Sequence, residues 1–252
     1  MSKSFVDKRR DKIVHLLQEK TEMTVAELAV HFGTSQLTIR RDLNHLQDAG
    51  ILVRSYGTAR LAEGQPGQVG ALALQSKEAI ARYAAGLIED GETIFINTSS
   101  TALAIMEFIT ARNVTIVTNN GHALQQSISP EITVLLTGGE IRVPKWSMTG
   151  DFALATIGQI QAPKCILGCS GISADRGLTT IVAQEMRVNA LMLSHSLHRI
   201  VVADSSKVGA DASFKYGDVN QIDTFITDTR ITQDEIESFK HAGTGDIICV
   251  AP

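Results

Sequence analysis

Between Lys77 and the carboxyl end, seven short runs of β-branched and aliphatic residues recur with helix-length intervals between most of them: 93–97, 114–118, 133–136, 165–167, 200–203, 224–227 and 247–250. Helical patterns fit these intervals, for example 100–111, 183–194 and 232–241. Such alternation points to an α/β fold with a doubly wound, mostly parallel sheet. Composition agrees: hydrophobic residues make up 44% and aromatics only 5%, the usage of parallel strands buried under helices on both faces. In that architecture ligands sit beyond the carboxyl ends of strands, so the loops that follow each run carry the chemistry.

The first sixty residues behave differently. Through Arg60 the formal charge is +3 and the remainder carries −7, which the net −4 conceals. A small basic front end before an acidic body suggests a nucleic-acid module attached to a soluble domain. No apolar run approaches the ~20 residues of a membrane span, and residues 1–10 are charged where a signal peptide turns apolar. A cytoplasmic protein is therefore expected. Cys165, Cys169 and Cys249 lack redox or disulfide spacing and are expected as buried reduced thiols.

Three helical patterns fill the front end. In the first, around 8–20, Ile13, Leu16 and Leu17 share a stripe while Arg9, Arg10 and Lys12 face elsewhere. Thr24 to Glu27 is a capping-box signature, followed by Val25, Leu28, Ala29 and Phe32 at helical spacing. Gly33 ends that helix and Ser35 caps the next after a short turn, as in helix-turn-helix pairs. The third helix, 36–49, buries Ile39, Leu43 and Leu46 and turns Leu37, Arg41, Asn44 and Asp48 outward, with Thr38 and Arg40 on the flanks. That face suits the DNA major groove: Arg pairs with guanine edges, Gln36 or Asn44 with adenine, and Leu37 with a thymine methyl. Gly50 closes the helix, and 51–61 reads as two short strands around a Gly turn, a wing carrying Arg54, Tyr56 and Arg60. The expected DNA-facing set is Thr24, Ser35, Gln36, Leu37, Thr38, Arg40, Arg41, Asn44, Arg54 and Tyr56.

These residues resemble the amino-terminal signature of the DeoR family of bacterial transcriptional repressors, most specifically in Thr38-Ile39-Arg40-Arg41-Asp42-Leu43. In the wing, Tyr56-Gly57-Thr58-Ala59 departs from the family's usual His-Gly-Gly-Ala. The reading divides the chain into a winged helix-turn-helix over 1–61, a linker over 62–75 where Pro66 and three glycines interrupt any period, and an effector-sensing and oligomerisation domain over 76–252.

In the body, the strand-end loops are rich in small hydrogen-bonding groups. Asn97-Thr98-Ser99-Ser100-Thr101 leads into a helix and gathers hydroxyls and free amides where an anion is stabilised. Asn119-Asn120-Gly121, Thr137-Gly138-Gly139-Glu140 and Asp204-Ser205-Ser206-Lys207 follow three other strands. Paired glycines allow close backbone approach to a ligand. Four such loops on one edge suggest a small polyhydroxylated, phosphorylated ligand.

The segments DGETIFINTSSTA, VTIVTNN, VLLTGGEIR, GISADRGLTT and VVADSSKVG extend the resemblance to the DeoR sensor domain, similar in fold to ribose-5-phosphate isomerases and CoA transferases. The resemblance implies a repressor of a carbohydrate-utilisation operon whose operator affinity responds to a sugar phosphate. It carries the effector role onto Asn97, Thr98, Ser99, Ser100, Thr101, Asn119, Asn120, Gly138, Gly139, Glu185 and Lys207. Asn97 and Ser99 depart from the family's common Asp-x-Gly-Thr-Thr, and Asn189 stands where the family often has Lys. Arg142, Lys145 and Trp146 offer compensating cationic or stacking contacts, or form a surface loop.

The main rival is a phosphosugar isomerase-like enzyme carrying a DNA-binding domain, with Asp175, Glu185, Asp204 and Lys207 as the proton-transfer candidates. No catalytic residue is assigned, because Asn97 removes an acid from the first loop. Neither a G-x-G-x-x-G nor a G-K-[ST] phosphate loop is present, and Gly168-Cys169-Ser170-Gly171 is a poor substitute. The seven histidines lack metal-ligand spacing. No cofactor or metal is expected. The expected partners are a double-stranded DNA operator, the effector and a second copy of the chain in a homodimer or tetramer.

Overall fold

The seven runs form one sheet. In the computed structural model, which describes residues 5–48, 51–55, 58–61, 66–126, 128–143 and 145–252, the chain divides into two units, Met1–Gln75 and Ser76–Pro252.

The first unit opens with α1 (Phe5–Lys20), β1 (Glu22–Thr24), α2 (Val25–His31) and α3 (Gln36–Asp48). Strands β2 (Leu52–Ser55) and β3 (Thr58–Leu61) follow as an antiparallel pair, and β1 adds to β3 as an edge that the sequence pattern did not announce. Thr24 caps α2 as expected: its hydroxyl accepts from Glu27 N at 3.1 Å, and its amide donates to Glu27 Oε2 at 2.7 Å. Gly33 adopts φ +58°, the left-handed conformation that ends a helix with least strain in glycine. Ser35 then accepts from Thr38 N at 3.2 Å. Ile13, Leu17, Leu28, Ile39, Leu43 and Leu52 are fully enclosed and join the three helices to the small sheet. Gly50 and Gly57 lie outside the described residues.

The segment expected as a linker is helical from Pro66. Helix α4 (Pro66–Ala85) runs across the division at Gln75, and residues 62–65 lie outside the described residues. Proline fits the first helical position, where its missing N–H has no partner to lose. The glycines that obscured the period lower helix propensity without forbidding a helix.

Strands β4 (Thr93–Ile96), β5 (Val114–Thr118), β6 (Ile132–Leu136), β9 (Ala162–Leu167), β12 (Ser196–Val202), β14 (Thr224–Asp228) and β15 (Asp246–Val250) form the body's sheet, ordered β15-β14-β12-β9-β4-β5-β6 and parallel at every pairing. Successive side chains enter opposite cores. Ile94, Ile96, Ile166, Ile200 and Ile226 pack with α4 and α5 (Ser100–Ala104), whereas Phe95, Cys165, Leu167, Val201 and Phe225 pack with α6 (Asp151–Gly158), α7 (Ala183–Ser194) and α8 (Gln233–His241). Burying the larger of these side chains contributes on the order of 1.5–3 kcal/mol each, so the alternation fixes the sheet's register.

Five short antiparallel strands were not read from the sequence: the hairpin β7 (Glu140–Arg142) and β8 (Ser147–Thr149), and the sheet of β10 (Gly171–Ser173), β11 (Gly177–Thr180) and β13 (Phe214–Gly217). The helix expected over 100–111 ends at Ala104 and tightens into a 3-10 turn through Glu107. Asn113 at φ +54° then turns the chain into β5. The buried-thiol expectation holds for Cys165. Cys169 is half-buried, and Cys249, on edge strand β15, is exposed.

Candidate functional site

The outer surface of α3 is built by what its inner surface buries. Ile39, Leu43 and Leu46 face the core, and Asp42 lies between them at 1% exposure. A buried carboxylate needs a cation. Arg9 Nε donates to Asp42 Oδ2 at 2.6 Å and Arg10 Nε donates to Oδ1 at 3.1 Å, tying α1 to α3. Arg9 and Arg10, expected merely to face away from the first helix's stripe, therefore have a structural task. Asp42 was legible in the sequence as a fourth member of the Ile39, Leu43, Leu46 stripe.

With Asp42 held inside, Gln36, Leu37, Arg40 and Arg41 are exposed on α3 and Thr38 is half-buried. Leu37 is 62% exposed, a leucine left open at a helix start among amide and guanidinium groups. Ser35, exposed before α3, shares its hydroxyl with Thr38 Oγ1 at 2.9 Å. The Thr24 hydroxyl serves the cap: besides accepting from Glu27 N, it donates to Glu27 Oε2 at 2.8 Å. This hydrogen bonding, led by the Thr24 amide, holds the Glu27 carboxyl below its ordinary value. The side chains of Asn44, Asp48 and Arg54, and all of Tyr56, lie outside the described residues.

In the body, the chain runs outward from β4 to β5 and β6, then crosses back to β9 and continues outward on the other side. The carboxyl ends of β4 and β9 thus form the switch point at which open α/β sheets leave a crevice. Asn97, just past β4 and 1% exposed, clamps that point shut. Its Nδ2 donates to Gly168 O at 2.8 Å and to Asn189 Oδ1 at 3.3 Å, and its Oδ1 accepts from Gly168 N at 3.0 Å and Ser99 N at 3.2 Å. Every hydrogen-bonding position of that amide is occupied internally. Asn97 therefore positions the loop, with its side-chain amide fully engaged within the protein. The pairing with Asn189 is a second feature that sequence reasoning missed.

The other expected effector residues divide by burial and partner. Ser99 caps α5, accepting from Ala102 N at 3.4 Å; Thr98 is half-buried, Ser100 exposed and Thr101 buried. Asn120 uses Oδ1 to accept from His122 N at 3.0 Å, closing a turn. Asn119 donates through Nδ2 to Met148 O at 3.2 Å and accepts at its carbonyl from Met148 N at 2.7 Å, which locks β8 beside β5. Gly139 serves close approach, but to protein: a Cβ there would lie 2.3 Å from Thr149 O. Gly138 opens onto free space. Lys207 is half-buried in a turn headed by Asp204, whose buried carboxylate accepts from Ser206 N at 3.1 Å.

Glu185, 2% exposed in the first turn of α7, accepts from Thr180 Oγ1 at 3.1 Å and lies 3.6 Å from Lys145 Nζ, both through Oε2. Lys145 thus reaches the site, as does Trp146, held at φ +53° while Gly121 N donates to its carbonyl at 2.9 Å. Asp175, by contrast, is exposed between β10 and β11. Burial pushes the Cys165 thiol up to about 12, keeping it protonated. Among the described residues, no group of His, Cys, Asp and Glu could hold a metal ion, and no helix is long and apolar enough to cross a membrane.

Comparison with known proteins agrees with both units. A DeoR-like helix-turn-helix domain matches residues 9–65, and the DeoR C terminal sensor domain matches residues 73–229. The chain is 31% identical to the glycerol-3-phosphate regulon repressor of Escherichia coli, over 87% of this chain and 90% of that protein. It is 29% identical to the HTH-type transcriptional regulator GolR of Listeria innocua, over 95% and 97%. Among solved structures, ribose 5-phosphate isomerase from Plasmodium falciparum is similar over 52% of each chain, at 18% identity and a TM-score of 0.37. The chain belongs to the DeoR family of helix-turn-helix transcriptional regulators.

Proposed function

We propose that the chain represses a carbohydrate-utilisation operon and that a sugar phosphate bound at the carboxyl edge of the body's sheet changes its operator affinity. Residues 1–61 bind DNA, 62–75 connect, and 76–252 sense the effector and oligomerise. The observation that carries the DNA half is the sorting of α3: Asp42 is sequestered under Arg9 and Arg10 while Gln36, Leu37, Arg40 and Arg41 stay exposed. Ser35, Thr38, Asn44, Arg54 and Tyr56 complete the proposed interface. A relative named as a glycerol-3-phosphate regulon repressor supports the ligand class.

For the effector, the proposed contacts are Thr98, Ser99, Ser100, Thr101, Asn119, Asn120, Gly138, Glu185 and Lys207. Control then follows linkage: the effector binds the DNA-competent and DNA-incompetent states of the body unequally, and that difference sets the change in operator affinity. Two copies facing half-sites about 34 Å apart, or a multiple of that spacing, account for a homodimer or tetramer. The protein works in the cytosol and turns nothing over, a reading supported by relatives named as regulators and by an Asn97 amide fully committed to the loop.

A thermal-shift screen of sugar phosphates and sugar acids tests this reading. A true effector at 100 times its Kd stabilises the body by about 2.7 kcal/mol. Absence of any stabilising compound refutes the sensor assignment, and chemical conversion of a hit replaces it with an enzyme.

A further inference from the structure

Among the described residues, five buried side-chain oxygens have no hydrogen-bond partner: Asn119 Oδ1, Ser147 Oγ, Glu185 Oε1, Thr227 Oγ1 and Thr244 Oγ1. Three of them belong to neighbouring segments: Ser147 to β8, Glu185 to α7, which packs on β8, and Asn119 to the loop bonded to Met148 of β8. Asn119 is bonded to Met148 through its carbonyl and its amide. Ser147 is the neighbouring residue of β8, and Lys145, two residues earlier, reaches Glu185 on α7. Asn119, Ser147 and Glu185 are 0%, 1% and 2% exposed. An unmade hydrogen bond at a buried oxygen is costly, and three such oxygens without a protein partner on neighbouring segments point to a bound group that satisfies them.

The chemistry of the three atoms decides what fits. Asn119 commits its Nδ2 to Met148 O, which fixes Oδ1 as an acceptor. Glu185 Oε2 takes Thr180 and faces Lys145, leaving Oε1, an acceptor when ionised. Only the Ser147 hydroxyl can act as donor or acceptor. Two acceptors, one of them on a carboxylate, repel a phosphoryl group, which has acceptors alone. They suit hydroxyls, which donate to Asn119 Oδ1 and Glu185 Oε1 and accept from Ser147. The strained backbone of Trp146, at φ +53° between Lys145 and Ser147, lies beside them, as strained residues at ligand clamps do.

We infer that this junction of β8 and α7 recognises the hydroxyl end of the effector, binding two adjacent hydroxyls of a sugar or polyol and leaving its phosphoryl group outside. The inference rests on the effector reading above and says which end of the ligand lies here. Ser147 enters the site as a ligand contact alongside Asn119 and Glu185.

The test is isothermal titration of the full chain with sugar, sugar-acid and polyol monophosphates of three to six carbons. The tightest binder is then compared with its deoxy analogues, in the parent and in Ser147→Ala and Glu185→Gln. Removing one of the two hydroxyls, or making Ser147→Ala, is expected to weaken binding about tenfold, the ratio for one hydrogen bond. Against the deoxy analogue that lacks the hydroxyl accepting from Ser147, Ser147→Ala should cost little more, because that contact is already gone. Ser147→Ala removes only an unpartnered hydroxyl, and the unfolding midpoint read from Trp146 checks that the body is intact. Unchanged affinity in both variants, with the same ligand bound, overturns this inference and leaves the effector reading standing. If no compound in the panel binds, the effector reading itself fails.

Discussion

Exchanging Asn97 for aspartate replaces one amide nitrogen with oxygen at the buried junction of β4 and β9. The retained oxygen keeps its bonds from Gly168 N and Ser99 N. The new one meets two acceptors, Gly168 O at 2.8 Å and Asn189 Oδ1 at 3.3 Å. Asn189 can turn its amide to donate, whereas the Gly168 carbonyl is fixed, also accepting from Tyr216 OH at 3.0 Å. Losing that bond and burying a charge without a cation costs about 3 kcal/mol. The cost depends on pH in a defined direction. Burial and the facing carbonyl raise the folded-state pKa of the new carboxyl above its unfolded value of about 3.9. A raised carboxyl destabilises only where it ionises in the unfolded chain, so the penalty is absent below about pH 4. It then grows by about 1.4 kcal/mol per pH unit until the folded pKa near 6 is passed. Urea unfolding of the full chain followed by Trp146 fluorescence reads this directly, since the chain's single tryptophan lies in the body. Adding Asn189→Lys supplies a cation across the 3.3 Å contact, and the pair should be non-additive by about 1–2 kcal/mol. An Asn97→Asp chain within about 0.5 kcal/mol of the parent at pH 8, or equally weakened at pH 4 and pH 8, refutes the clamp.

Asp42→Ala removes the carboxylate that Arg9 and Arg10 share and should cost the amino-terminal unit about 2–4 kcal/mol, reduced because both arginines can turn toward water. Amide exchange in α1 and α3 will show the loss while the Trp146 transition stays put. Arg41→Ala should weaken operator binding by about 1–3 kcal/mol and relax preference at one base position; equal weakening on every sequence would make Arg41 a phosphate contact. Gly139→Ala, at φ +103° and with its Cβ 2.3 Å from Thr149 O, should destabilise the body by at least about 3 kcal/mol. Gly138→Ala, strained at φ +71° but in open space, should cost about 1–2 kcal/mol in the same assay. Burial works against the charge of Asp228, yet hydrogen bonds from Arg230 and from Ser205 N hold its carboxyl down at about 2. A depressed carboxyl stabilises above its unfolded pKa, so Asp228→Asn should cost about 2 kcal/mol above pH 5 and converge with the parent as pH falls toward 2.

What the sequence revealed was local and periodic. Each β-branched run became a strand of the parallel sheet because its side chains alternate into two cores, as Ile94, Phe95 and Ile96 do. Thr24, Glu27, Gly33 and Ser35 were readable because capping acts within three or four residues. Distance in the chain hid the rest. Asn97 finds Asn189 across 92 positions, and Arg9 finds Asp42 across 33. No spacing rule reports such partners. Three-residue strands such as β7 and β8 are too short to show a period, so the sequence left Lys145 and Trp146 open between contacts at the site and a surface loop, and did not show the hairpin that carries them. Gly139 looked like space for a ligand and turned out to be space for a neighbouring carbonyl. Sequence showed that the backbone comes close there and left the approaching partner open.

In the proposed function, one chain couples DNA and a small phosphorylated ligand. The direct measurement is anisotropy of a labelled duplex, selected by the full chain from a random pool, titrated with the chain alone and with saturating amounts of the ligand found by thermal shift. The ligand is expected to change the duplex Kd by about 5- to 150-fold, the span of typical coupling energies, and the duplex to change the ligand's Kd by the same factor. Identical duplex affinity with and without a ligand that demonstrably binds the body would contradict it.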